Sequence, residues 1–119
     1  MGRPGPVKEK SYAFAVRLVR VLRQLQETER EYVLSRQCLR SGTSIGANVE
    51  EAGAGLSRKD FIAKMAIASK EARETYYWLR LLRDSQCLEA ETAEKLLCDC
   101  DELIKLLTAI VKTTQAKVH

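Results

Sequence analysis

Apolar residues recur at helical spacing in four separate runs. Phe14, Leu18, Val21, Leu22 and Leu25 form the first and predict a helix from about Lys8 to Gln26, with Arg17, Arg20 and Arg23 on its opposite side. Thr28-Glu29-Arg30-Glu31 has the form of a capping box, with Thr28 as the N-cap and Glu31 at the third position. It opens a second helix that runs to about Ala54, where Gly53 and Gly55 end it. Ser57-Arg58-Lys59-Asp60 is another start signal, with Asp60 in place of the usual Glu, and the third helix covers about 58–83. The pattern breaks over 84–89, and a fourth helix runs from about Ala90 to Lys117. Both prolines precede Val7, so none interrupts a helix after it. Short connections between four periodic segments predict an all-α, up-and-down antiparallel four-helix bundle. It forms one domain over 8–117 behind a flexible lead of residues 1–7.

The second helix carries an unusual surface. Cys38, Gly42, Ile45, Val49, Ala52 and Leu56 line one face, and Ser41, Ser44, Asn48 and Glu51 line the neighbouring strip. A glycine inside a helix costs roughly 1 kcal/mol relative to alanine. Gly42 and Gly46, four residues apart, therefore predict the close approach of another helix backbone. The hydroxyl and amide side chains beside them predict hydrogen bonds across that contact. Read as chemistry, Ser44, Asn48 and Glu51 could be a catalytic trio. No nucleophile–base pair can be completed, however, because the single histidine is His119 at the C-terminus. The preferred expectation is a register-fixing network of Ser41, Gly42, Ser44, Gly46, Asn48 and Glu51.

The third helix has three faces. Phe61, Met65, Ala68, Ala72, Tyr76 and Leu79 form its core stripe. Lys59, Lys70, Arg73, Tyr77 and Arg80 form a basic strip with one tyrosine inside it. Asp60, Ile67, Glu71, Glu74 and Trp78 mix acids with large apolar groups, and Glu71 is placed to pair with Arg40. The fourth helix is apolar over about half its circumference, more than the stripe of somewhat over 100 degrees that a bundle needs. Subunit association is therefore expected, with Ile67, Glu71, Glu74 and Trp78 as interface candidates.

Composition narrows the chemistry. No apolar run is long enough to cross a membrane, and nothing resembles a secretory leader. The four cysteines are then expected as reduced thiols in a cytoplasm, with Cys38 and Cys100 as small core residues. Cys98 and Cys100 diverge by about 200 degrees on a helix and cannot readily share a metal. The Glu-x-x-His pattern of carboxylate-bridged metal bundles is missing, so no cofactor or metal is expected and the chain reads as non-enzymatic. The net charge of +4 is modest but uneven, with seven Lys or Arg against three Asp or Glu over 58–83 and four against seven over 84–119. The basic strip, with Arg17, Arg20 and Arg23, is the candidate nucleic-acid surface, in which arginines neutralise phosphate and a tyrosine stacks on a base. The alternative is a solvated charged face.

Two segments carry a family resemblance. One is Ser44-Ile45-Gly46-Ala47-Asn48-Val49-Glu50-Glu51-Ala52. The other is Lys59-Asp60-Phe61-Ile62-Ala63-Lys64 followed by Ala68 to Leu82. From Tyr12 to Thr113 the chain resembles the small bacterial four-helix bundle proteins encoded in intervening sequences of 23S ribosomal RNA genes. More distantly it is similar to the accessory proteins of diversity-generating retroelements, which share the fold and form a barrel-shaped pentamer. The resemblance implies a homopentamer with no established enzyme activity. For the retroelement relatives it also implies binding to nucleic acid or to a reverse transcriptase. The leading expectation is a homo-oligomeric scaffold that binds RNA, single-stranded nucleic acid or a nucleic-acid-processing partner. A module that binds only proteins through the Trp78 strip is the alternative.

Overall fold

A computed structural model describes residues 5–55 and 57–118. Leu56, His119 and the leader residues Met1 to Pro4 lie outside the described residues. Four helices follow one another, α1 (Pro6–Glu29), α2 (Val33–Gly53), α3 (Arg58–Asp84) and α4 (Ala90–Val118). They pack as an antiparallel square in a body 49 Å long and 20 Å across. α1 touches α2 and α4, α3 touches α2 and α4, and α1 and α3 stand diagonally apart.

The helix starts differ from expectation in instructive ways. α1 begins at Pro6, because proline suits a first helical position, where no N–H is needed. Gly5, at φ 70°, makes the preceding turn. This places Val7 in the core, fully buried. Thr28 does not cap α2. It is still inside α1, and its hydroxyl donates to the Gln24 carbonyl at 2.9 Å. α1 ends when Arg30 adopts the left-handed conformation at φ 55°. Glu31 then caps α2 itself, its carboxylate accepting from the backbone N–H of Leu34 and of Ser35 at 2.8 Å each. A carboxylate there meets both the free N–H groups and the positive end of the helix dipole.

The other boundaries follow the sequence. Ser57 caps α3, its hydroxyl accepting from Asp60 N–H at 3.1 Å. α2 ends at Gly53 without a left-handed glycine, closing with a bond from Ala54 N–H to the Glu51 carbonyl at 3.2 Å. The turn after α3 uses Gln86 at φ 64°, which lets Cys87 N–H reach the Leu82 carbonyl at 2.9 Å and brings Leu88 back onto the core.

The core is formed by Phe14, Leu18 and Leu22 of α1, Ile45 and Val49 of α2, Met65 and Leu79 of α3, and Leu103 and Leu107 of α4. On α3 the inward residue is Thr75, fully buried, whereas Tyr76 is half-buried. Thr75 can be inside because its hydroxyl shares a 2.7 Å bond with Ser41 of α2 and meets the Glu71 carbonyl at 2.8 Å. On α4 the extra apolar width, Ile104, Leu106, Ile110 and Val111, is half-buried and packs against this core.

Candidate nucleic-acid interface

Caps and core packing together fix the rotation of α3. With Phe61, Met65, Ala68, Ala72, Thr75 and Leu79 turned inward, the opposite ridge faces solvent. Lys70, Arg73, Tyr77 and Arg80 follow Lys59 by 11, 14, 18 and 21 residues, close to whole turns. All five are exposed, so the structure brings the expected strip together as one straight row. From Lys59 to Arg80 it runs about 30 Å along the helix axis.

The row is electrostatically unspent. Lys64 and Arg83 of the same helix pair with Glu51 at 2.7 Å and with Asp84 and Glu94 at 2.8 Å each. Among the described residues, Lys59, Lys70, Arg73 and Arg80 have no carboxylate within salt-bridge distance. Arg80 acts on Asp84 only at longer range. That carboxyl is held below its usual range mainly by hydrogen bonding to Arg83, with the Arg80 charge a weaker cause. Arg73 Nη2 donates to Thr108 Oγ1 of α4 at 3.1 Å. This turns Thr108 toward α3, and Lys112, one turn further along α4, lies on the same side, exposed and, among the described residues, without a carboxylate in salt-bridge distance. Sequence reasoning missed Lys112, although an α3–α4 neighbourhood and the Thr108 spacing would have indicated it.

The arginines of α1 do not join this surface. α1 is diagonal to α3. Arg17 pairs with Asp99 of α4 at 2.9 Å, and Arg20 and Arg23 line a shallow hollow with Val19 and Glu27. They form a second, separate patch.

Beside the basic row lies a chain of fixed polar groups. Arg40 of α2 donates to Glu71 at 3.0 Å and to Glu74, as the sequence predicted for Glu71. Trp78 Nε1 donates to the same Glu74 carboxylate at 3.0 Å. Hydrogen bonds from Trp78 and then Arg40 hold the Glu74 carboxyl below the usual carboxylate range. The Tyr77 ring meets Trp78 edge-on, with centroids 5.1 Å apart and planes at 72°. Tyr77 remains 53% exposed and Ile67 43% exposed on this side of α3.

The residues grouped on α2 divide between two neighbours. A Cβ on Gly42 would overlap Leu18 Cδ2 of α1, and one on Gly46 would stand 3.5 Å from the Ser11 carbonyl oxygen of α1. The glycines therefore serve the α1 contact. Ser41 serves α3 through Thr75, and Glu51 reaches α3 through Lys64. Asn48 departs from expectation. Its amide donates to the Ser44 carbonyl and hydroxyl of its own helix, at 2.9 and 3.0 Å, instead of bridging helices, because a residue one turn back is its nearest acceptor. No buried polar side-chain atom among the described residues lacks a partner.

The thiols are separate from this surface. Cys38 and Cys100 are buried, and burial first of all pushes both up to about 12. Cys98 is exposed. Among the described residues no His, Cys, Asp or Glu gather as a metal-binding group, and no helix is long and apolar enough to cross a membrane.

An up-and-down bundle of four antiparallel helices places the chain in the class of small helical bundle proteins. Within that class, the chain belongs to the 23S rRNA-intervening sequence protein family, which it matches over residues 6–109. It is similar to the crystal structure of a protein of unknown function from the S23 ribosomal protein family of Bacteroides thetaiotaomicron. The two share 50% identity over 89% of this chain and 98% of that one, with a TM-score of 0.87. No curated protein matches the sequence.

Proposed function

We propose that this protein is a non-enzymatic, homo-oligomeric helical scaffold of the cytoplasm, pentameric in its working form, that binds RNA through the outward ridge of α3. The observation that carries this reading is the row Lys59, Lys70, Arg73 and Arg80, which stays without carboxylate partners among the described residues while Lys64 and Arg83 of the same helix are paired. Unneutralised cations in line suit a phosphate backbone, because binding releases its condensed counterions. Repetition of the ridge around an oligomer would multiply a weak contact by avidity. Ile67, exposed on the same face of α3 as half-buried Trp78 and the Glu71 and Glu74 carboxylates, supports placing the contact between copies on the α2 side of α3. The non-enzymatic reading is supported by the polar side chains of α2, which are spent on Thr75, Lys64 and their own backbone.

The test is fluorescence anisotropy of labelled RNA at low and raised salt. Affinity is expected to fall steeply with salt and to depend little on sequence, since phosphate contacts carry no sequence information. Changing Lys70, Arg73 and Arg80 together to Glu should abolish binding with helicity retained. The same reversal at Arg17, Arg20 and Arg23 should weaken it much less. Equal binding by the α3 triple variant would remove the ridge from consideration. Absence of binding at tens of micromolar protein would leave a module that recognises only proteins.

A further inference from the structure

We infer that Tyr77 is a stacking platform for one unpaired nucleobase, so that the protein selects single-stranded over duplex nucleic acid. This rests on the ridge reading above and specifies what the ridge takes. Tyr77 is the one aromatic residue in the row, and it is 53% exposed although the neighbouring Trp78 is half-buried. Arg73 and Arg80 lie about 6 Å and 4.5 Å from it along the axis, one turn to either side. A base on the ring would thus place its flanking phosphates within reach of two guanidinium groups that carry no carboxylate. In a duplex the base faces are covered by their neighbours, so the ring gains nothing from paired strands, whereas every unpaired base offers a face.

The ring is also held. Trp78 packs against it with ring centroids 5.1 Å apart, and Trp78 is fixed in turn by its indole N–H on Glu74 at 3.0 Å. Glu74 is tied to Arg40 on the adjacent helix, and Arg40 is braced by Glu71 at 3.0 Å. An exposed tyrosine ordinarily loses side-chain freedom when a ligand covers it. Here much of that ordering is complete before binding, which favours affinity. Trp78, Glu74 and Arg40 act as positioning residues, and Tyr77 makes the contact.

The test uses the full-length protein and one labelled sequence, presented as a single strand and as its duplex, in RNA and in DNA, at matched salt. The single strand should bind about tenfold more tightly than the duplex. Tyr77→Phe should keep that preference. Tyr77→Ala should lose it, weakening the single strand by about tenfold while leaving the duplex unchanged. Trp78→Phe, which keeps a ring but removes the indole N–H, should fall between them. Preference for single strands of either sugar supports the assignment, and the tighter of the two names the source. As a second readout, emission from Trp78, the single tryptophan, should change on adding single strand and not on adding duplex. If Tyr77→Ala binds the single strand like the parent, stacking is overturned while a salt-dependent ridge survives. If no nucleic acid binds at all, both readings fall together.

Discussion

Gly42 and Gly46 look equivalent in the sequence, four residues apart on one helix, yet they face different parts of α1. Gly42 receives the end of the Leu18 side chain, and any Cβ there must displace a fully buried leucine. Gly46 faces the Ser11 carbonyl, and a Cβ at 3.5 Å is an ordinary van der Waals contact. Gly42→Ala should therefore destabilise by about 1–3 kcal/mol, the usual cost of overpacking a core. Gly46→Ala should be neutral or stabilising by up to about 1 kcal/mol, since alanine is the better helix former. Thermal denaturation of the two variants checks this. An equal loss in both would mean that α1 lies as close to Gly46 as it does to Gly42. Asn48 makes a related point. An amide in the middle of a polar strip suggests a bridge to another helix, but its bond to Ser44 is local, so Asn48→Leu should perturb the bundle less than Gly42→Ala does.

At the scale of elements, what was legible depended on whether one helix or two held the information. Ser57 announced α3 because a cap is written within four residues, and the hydrophobic stripes of α1 and α3 were visible for the same reason. The α1–α2 boundary departs from the pattern because Thr28-Glu29-Arg30-Glu31 satisfies a local capping rule, while the left-handed Arg30 that decides the outcome carries no sequence mark of its own. Thr75, rather than Tyr76, is the inward residue because Ser41 of α2 meets its hydroxyl, a partner that the α3 sequence alone does not show. The basic ridge was readable from one helix alone. Its separation from the α1 arginines was not, since it depends on which helices are diagonal. The α2–α3 seam also yields a pH prediction. Glu74 faces Arg40, Glu71 and Trp78, and its carboxyl is held below the ordinary 4.5 by hydrogen bonds from Trp78 and Arg40. A depressed folded-state value stabilises the fold above the unfolded-state value, and that contribution is lost as pH falls through the folded-state value. The midpoint of the pH-dependent change in Trp78 emission should accordingly fall below 4.5, with helicity followed in parallel. A transition above that point would show that Trp78 and Arg40 do not hold the carboxylate.

On the scale of the whole molecule, a bundle 20 Å across has little room to hide an interface, and the apolar width of α4 turns out to pack largely on its own core. The self-association proposed above therefore rests on the α2 side of α3. Ile67 there is 43% exposed, with Lys64 and Glu71 already paired to α2 on either side of it. Pairs satisfied within the protomer leave the isoleucine as the group that still gains by being covered. Covering the part of Ile67 still exposed is worth about 1 kcal/mol, and an oligomer repeats that gain at every contact. Ile67→Glu would replace it with a charge that must be desolvated without a partner. The variant should keep full helicity, because Ile67 is outside the core, yet its mass by light scattering should drop to that of the single chain. RNA affinity should fall with it, through lost avidity, although the ridge residues are unchanged. If Ile67→Glu keeps the parent's mass, copies meet elsewhere. If the parent protein is itself monomeric at high micromolar concentration, the ridge must act singly, and its affinity for nucleic acid should then be weak and unaffected by Ile67.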